Sequence, residues 1–572
     1  MKNVGVPLSQ WGRRSSFHGT LRGGDNVTRS STFEGRFGRM FRALPAANFH
    51  PEDLLALGDK MEAEAEEQNG KRIAHPEKTA QFPDENAPDD EENFGIPAGY
   101  TYLGQFIDHD ITFDPSALSM QRNDPDALVD FRTPRLDLDC IYGRGPADQP
   151  YMYTEDRKFI LGATKLARGN VASKATDLPR AQNGRAIIGD KRNDENVIVS
   201  QLQNVFLNFH NALCDRYKNV EFDDIQKLVR WHYQWVVLTD FLPKIVGENV
   251  MADILPGFID RKINIHTHAP NLRFFKWRND PFMPVEFSAA AYRVGHSMVR
   301  PIYRLSTELT NPVGDEDPSI NGRKFIFAAE RLKGLNGFGP FPENWAIDWS
   351  LYFELGGKKL DPKDLGPSRV QPSYKLDTSL VNPLKFLPEF SRPRPGHPGD
   401  LEQEGGNPAP KKGDVSNLAS RNLLRGMTLG LPSGQDVARY MDIEPIEDDE
   451  LRVGKAIVDD LGRAGNSILD VSKRFAGNAP LWYYVLAEAQ WAWTKAAKSA
   501  SNLDDVTRNA IPVRLGPVGA RIVAEVLIGL IVGDKRSVLW QAPNWKPILG
   551  KDGEFNMPNL IQVSGLGTSH GQ

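Results

Sequence analysis

The clearest hydrophobic periodicity in the chain begins after Asn193. Ile198, Leu202, Val205, Phe206, Phe209 and Leu213 recur at steps of four, three, one, three and four, which places them on one stripe of an α-helix. The run QKLVRWHYQWVVLTDFLPKIV, Gln226 to Val246, predicts a second long helix closed by Pro243. PLWYYVLAEAQWAWTKAAKSA (Pro480 to Ala500) and GARIVAEVLIGLIVGD (Gly519 to Asp534) predict two more. YLGQFIDHDITFD, Tyr102 to Asp114, reads as helix as well. Strand-type alternation is scarce and no internal repeat is visible. The pattern predicts a mainly α fold: one large helical domain with little β structure.

Outside the periodic segments the chain changes character. Residues 1 to 93 read as an N-terminal extension, first rich in Arg, Gly and Ser. A polar helix with Pro at its start follows (PEDLLALGDKMEAEAEE, Pro51 to Glu67). PDENAPDDEEN, Pro83 to Asn93, reads as a solvated acidic linker. The domain proper is expected over 94–572, interrupted at 386–417 by a Pro/Gly-rich, charged stretch that reads as an exposed insertion.

Composition narrows the function classes. The chain has 572 residues, 40% hydrophobic and 25% charged, with net charge −5, so nothing points to nucleic acid or an anionic membrane. Two cysteines, Cys140 and Cys214, cannot build a disulfide framework and fit a reducing compartment. MKNVGVPLSQWGRR lacks the apolar core of a signal peptide. The most apolar run, Ile522 to Gly533, contains Glu525 and is shorter than the roughly 20 residues a bilayer requires. A soluble protein is expected, cytoplasmic or secreted without a leader, with no transmembrane segment and an oligomeric state that the sequence leaves open.

Three histidines lie in unusual surroundings. His109 stands between Asp108 and Asp110. On a helix, successive side chains diverge by about 100°, so the two acids leave on opposite flanks of His109, while Gln105 at i−4 shares its face. His296 lies where an apolar helix, expected from Ala289 onward, meets Gly295 ahead of Pro301. His210 lies inside the first long helix. Taken singly, each reads as an ordinary core or capping histidine, and His266 with His268 reads as a surface turn, since no third ligand is supplied. In GDKRNDENVIV (Gly189 to Val199), Arg192 and Glu195 are three apart at a helix start, where charge pairing is the plain explanation. In RTPRLDLDCIYG (Arg132 to Gly143), Thr133, Asp137 and Asp139 offer oxygen ligands suited to calcium. LNGFGPFPE, Leu335 to Glu343, lacks the strand and helix that a phosphate loop needs.

Together the motifs GQFIDHD, TPRLDLD…YG, GDKRNDE…FHN, YRVGHSMV and RNLLRG…GLP occur in the order and spacing of the animal-type haem peroxidases. The chain resembles that superfamily, which includes the cyclooxygenases, over roughly Phe94 to Asp534, and its scarcity of cysteine resembles the bacterial branch. The resemblance implies haem b, with His109 as distal base, Arg192 as distal arginine and Gln105 organising water or halide. It implies His296 as proximal iron ligand, Asn422 accepting that ligand's second hydrogen bond, and Arg293 and Arg425 near a haem propionate. Asp108 and Glu195 match carboxylates that form esters to haem in some members. Asn196 stands where some members have the methionine of a sulfonium link, so none is expected. Asp110, Thr133, the carbonyl of Arg135, Asp137 and Asp139 match a calcium site.

The implied activity is reduction of hydrogen peroxide with oxidation of halide, thiocyanate or small aromatic donors, and a role in the response to oxidative stress. Two alternatives stand beside it. A fatty-acid dioxygenase of the cyclooxygenase type needs a tyrosine three positions before the proximal histidine. That position is Arg293 here, with Tyr292 one step further back. A haem-bearing scaffold without turnover is the other.

Overall fold

The computed structural model describes residues 37–62, 67–68, 71–72, 89–113, 132–278, 280–309, 322–328, 331–385, 415–461, 466–551 and 553–567. Most of the expected insertion, residues 386–414, and most of the expected acidic linker lie outside the described residues. Helix makes up 42% of the structure and strand 10%, so the mainly α expectation holds. Among the described residues the strands form only two-stranded ladders.

Eight helices frame the site: α1 (Pro51–Lys60), α2 (Gly99–Ile111), α3 (Val197–Arg216), α4 (Phe222–Val236), α5 (Leu242–Val246), α6 (Leu418–Thr428), α7 (Leu481–Ser499) and α8 (Pro517–Gly533). All four helices expected from periodicity are present. The second is interrupted: a π-helical turn, Val237–Phe241, joins α4 to α5. Pro243 accounts for it, because its ring has no N–H to give to Thr239 and crowds that carbonyl.

α2 is apolar on nearly all sides, with Leu103, Phe106, Ile107, Asp110 and Ile111 all fully buried, and such a helix belongs at the centre of a fold. Phe106 stacks on Phe206 of α3 at 4.4 Å and meets Tyr233 of α4 edge-on at 6.3 Å. Gly99, at its start, is required by close approach: a Cβ there would lie 2.4 Å from the Phe353 ring. α3 is capped by Asn196, whose side chain accepts from the amides of Ile198 and Val199. α6 is capped in the same way by Asn417.

The N-terminal segment is built into the core. Leu54, Leu57 and Met61 are fully buried, and the Glu286 carboxylate accepts from the amides of Met40 and Phe41. The described end of the acidic stretch is not solvated, contrary to expectation. Glu92 and Asn93 are buried in β1 (Glu92–Pro97), which pairs antiparallel with β2 (Pro372–Tyr374). Arg300 and Arg369 both bond the Glu92 carboxylate, and this pairing permits its burial.

Buried carboxylates also fasten the apolar helices. Glu525 of α8 accepts from the amides of Arg273, Phe274 and Phe275 and pairs with Arg521. Glu488 of α7 accepts from the amides of Val518 and Gly519 at the start of α8. Burial pushes the Glu488 carboxyl up to about 7, against the effect of those amides. The folded state therefore holds its proton at pH values where the unfolded chain, titrating near 4.5, has lost it. That stabilisation is complete below about pH 4.5 and is lost as pH rises to about 7. Glu488→Gln is expected to gain stability over wild type by up to about 3 kcal/mol at pH 8 and little at pH 4.5. Urea unfolding at both pH values checks this, and a difference independent of pH would contradict it.

Candidate active site

α2 presents three working faces, as the 100° spacing requires. His109 is 4% exposed. Its Nδ1 lies 2.7 Å from Asn193 Oδ1, and its Nε2 has no partner among the described residues. Burial, followed by the nearby Arg192 charge, lowers its pKa to about 4, so the ring is neutral at pH 7. With the proton on Nδ1, Nε2 keeps its lone pair.

Arg192 sits within a short 3₁₀ turn, Lys191–Asp194, that leads into α3. Its Nη2 donates to the carbonyls of His109 and Thr112, and Nε and Nη2 grip the Asp190 carboxylate at 3.2 and 2.8 Å. The guanidinium lies 4.8 Å from the Phe113 ring. Burial opposes the Asp190 charge, but Arg192 and Arg132 together hold its carboxyl well below the usual carboxylate range. Nη1 is left as the guanidinium nitrogen with no hydrogen-bond partner among the described residues. Gln105 donates to Glu195 and accepts from Asn196 at 3.2 Å. Asp108 accepts from the Thr112 hydroxyl at 3.2 Å and, on another flank, its charge acts on Tyr292.

The opposite wall is a 3₁₀ helix, Ala291–His296, preceded by a short α-helix, Val285–Ser288. The expected continuous helix breaks at Ala290, whose backbone (φ −133°, ψ −81°) is not helical. α6 delivers Asn422 to within 2.8 Å of His296 Nδ1. The amide nitrogen faces the ring, so Asn422 donates in this orientation, the reverse of the expected acceptor. A half-turn of the amide exchanges N and O in place. Burial, then Arg293 and Arg425, lower the His296 pKa to about 3, and its Nε2 is without a partner among the described residues. Tyr292 ties the two walls together by donating to the Gly104 carbonyl at 3.2 Å. Gln105, Asp108, Arg192, Glu195, Arg293 and His296 remain partly solvent-accessible on elements that are otherwise packed inside. A Cβ added at Gly295 would meet no atom within 4 Å. Space is therefore open at these residues, beside the Tyr292–Gly104 contact that joins α2 to the Ala291–His296 wall.

Asp110 turns away from this space. Its carboxylate and those of Asp137 and Asp139 converge so that one oxygen of each lies within 4.8 Å of the others. Thr133 donates to Asp137 at 3.1 Å, and Leu138, held at φ +58°, turns the loop so that its amide reaches Asp110. One Asp110 oxygen is buried without a hydrogen-bond partner. Burial, with Asp139 and Asp137, raises the Asp110 carboxyl well above its usual range. Burial likewise pushes Asp139 up to about 7 although Arg132 lies 3.5 Å away. Three crowded carboxylates with an unsatisfied oxygen suit a hard divalent cation. Arg135 belongs to the same loop through its amide, which donates to the Thr133 carbonyl.

The remaining candidates fall elsewhere. His210 is a satisfied core residue between the Tyr142 hydroxyl and the Arg157 carbonyl. His266 and His268 lie in an exposed turn. The 335–338 segment pairs with residues 194–197 through backbone bonds, which explains its glycines without any phosphate. Two residues that sequence reading overlooked are Asn193 and Asp190. Their only signal was proximity to Arg192 in DKRND.

The animal haem peroxidase family model matches residues 119–343. Over that stretch, 225 of its 572 residues, the chain is similar to the animal haem peroxidases. The match spans Arg192, the Thr133–Asp139 loop and His296, with α2 and Asn422 outside it. Mouse thyroid peroxidase is 24% identical over 311 residues, 53% of this chain and 28% of that protein. The chain thus spans only about a quarter of that relative's length. Peroxidase A from Dictyostelium discoideum has a TM-score of 0.50 at 13% identity, covering 94% of each chain, which speaks to the fold. Oryza sativa fatty acid alpha-dioxygenase is a looser likeness, TM-score 0.44 at 14% identity over 94% and 87% of the two chains. The donor set fits a haem: His296 and His109, on different elements, each keep an Nε2 with no hydrogen-bond partner among the described residues, and a Cβ at Gly295 would meet open space.

Proposed function

We propose that this chain is a haem-dependent peroxidase that reduces hydrogen peroxide and oxidises halide, thiocyanate or small aromatic donors. The observation that carries the reading is the pair of neutral histidines, on α2 and on the Ala291–His296 helix, each with Nδ1 within hydrogen-bond distance of an asparagine amide; with the Asn422 amide turned so that its oxygen faces the ring, Nε2 of both keeps its lone pair. Bound haem supplies the iron centre at which peroxide is reduced and oxidising equivalents are passed to the donor. His296 Nε2 would hold that iron, with Asn422 bracing its ring, and Arg293 and Arg425 would offer charge for the propionates. His109 Nε2 takes a proton from one peroxide oxygen and gives it to the departing one. The Arg192 Nη1 group stabilises the charge that develops as the O–O bond breaks, and Gln105 orders water or halide beside it. Overall, one peroxide, two protons and two electrons give two waters. Asp108 and Glu195 are the carboxylates placed for ester links to haem. Acid–acetone extraction after peroxide treatment tests those links, since freely extracted haem would show that neither forms.

The dioxygenase alternative is less well supported. Arg293 occupies the position that chemistry needs for its tyrosine, and the Tyr292 hydroxyl is committed to Gly104. Haem-loaded protein should consume peroxide while oxidising guaiacol or bromide. Oxygen uptake with linoleate, without donor oxidation, would overturn the peroxidase assignment.

We assign calcium to Asp110, Thr133, the Arg135 carbonyl, Asp137 and Asp139, relieving the repulsion among the three carboxylates. Removing calcium with EGTA should lower Tm by several degrees, since a ligand at a hundred times its Kd contributes about 2.7 kcal/mol. Calcium should restore Tm and magnesium should not; a Tm indifferent to EGTA would contradict the site. Residues 94–572 would form the catalytic domain. Among the described residues no helix is long and apolar enough to cross a membrane, and both cysteines are free, which suits a reducing compartment.

A further inference from the structure

We infer that Asn193 sets the tautomer of His109 and that Gln203 fixes the direction of the Asn193 amide, making both of them positioning residues for the distal base. The inference rests on the peroxidase reading for its functional consequence, but the hydrogen-bond chain stands by itself.

A neutral imidazole carries one N–H, and only the other nitrogen can accept a proton. Asn193 Oδ1 lies 2.7 Å from His109 Nδ1, so the ring donates there and Nε2 keeps its lone pair. An amide turned by half would present Nδ2 to the same nitrogen. The ring proton would then sit on Nε2, and the base would become a donor. The turn is opposed by Gln203, whose Oε1 accepts from Asn193 Nδ2 at 2.8 Å. Asn193 and Gln203 are both fully buried and His109 nearly so, so bulk water does not replace either contact, and each group depends on the next. The elements hold the chain in register. Asn193 belongs to the Lys191–Asp194 turn, Gln203 lies on the second turn of α3, and His109 comes from α2, packed against both.

The chain ends at the amide nitrogen of Gln203, which is buried without a hydrogen-bond partner. The reversed chain would leave the Gln203 oxygen unpaired instead and would protonate Nε2. Direction is therefore a measurable property of this site. A Glu at position 203 can only accept, so it enforces the observed direction, whereas Leu removes the restraint.

The test uses the full haem-loaded chain labelled with ¹⁵N-histidine, in its diamagnetic ferrous carbon monoxide form, with His109 assigned by comparison with His109→Leu. Wild type, Asn193→Asp and Gln203→Glu should show Nδ1 protonated and Nε2 bare. Asn193→Leu and Gln203→Leu should show Nε2 protonated or a mixture. The second-order rate constant with hydrogen peroxide should fall about 100-fold in Asn193→Leu and about tenfold in Gln203→Leu. It should stay within about threefold of wild type in Asn193→Asp and Gln203→Glu. Should Asn193→Leu fail to fold, the wild-type spectrum and the Gln203 pair decide the matter. An Nε2-protonated His109 in wild type, or a Gln203→Leu variant that matches wild type in both spectrum and rate, overturns the inference. A wild-type chain inert to peroxide would refute the peroxidase reading, and the nitrogen spectra would still report the tautomer.

Discussion

His296→Leu is expected to bind haem more than about 100-fold more weakly than wild type, with loss of the absorption of a histidine-ligated haem. Replacing the outer partners of a metal-bound histidine typically lowers metal affinity 10- to 100-fold, and loss of the ligand itself should exceed that. The ring is held by one hydrogen bond, to Asn422, and borders the open space, so its removal leaves the surrounding core packing intact. Asn422→Ala should fall near the lower end, about tenfold. Added imidazole should restore the spectrum of His296→Leu, because it can occupy the space that the side chain leaves. Haem titration followed by absorption measures all three. Retention of wild-type affinity and spectrum by His296→Leu would mean that the iron is held elsewhere.

The second large effect is at the distal wall. His109→Leu should lower the rate constant for reaction with hydrogen peroxide by about 1,000-fold while leaving haem affinity near wild type. Proton transfer by a positioned side chain contributes roughly 10²- to 10⁴-fold, and His109 is a buried, neutral base whose Nε2 keeps its lone pair. Arg192 is a smaller and different case. Asp190 and two carbonyls bind most of its guanidinium, so Arg192→Lys should disturb the α2 end as well as the charge offered to the substrate. Stopped-flow mixing separates these effects, since His109→Leu should slow the peroxide step without altering cyanide-free haem spectra at rest. A rate within threefold of wild type would remove His109 from the catalytic role.

Local pattern carried much of this site. Asp108, His109 and Asp110 could be assigned to different directions because helix geometry alone separates adjacent side chains, and the structure sends Asp110 toward Asp137 and Asp139. The long helices were legible because their apolar stripes are continuous. What sequence left obscure depends on partners far along the chain. Glu92 looked solvated because its neutralising arginines lie 208 and 277 residues away. Asn193 and Gln203 looked like ordinary polar positions, since an amide's role is decided by which atom it meets. The break at Ala290 was hidden for another reason: an alanine-rich run favours helix locally, and tertiary contacts override that preference. The π turn before Pro243 was similarly concealed within an unbroken apolar period.

The most direct test of the account is peroxide turnover by the full chain loaded with one equivalent of haem. Hydrogen peroxide consumption and guaiacol oxidation would be followed together, with haem-free protein as control. The account predicts haem-dependent consumption of one peroxide for every two one-electron oxidations of guaiacol, lost on replacement of His109 by Leu. Stoichiometric haem uptake with peroxide consumption no faster than free haem would contradict it.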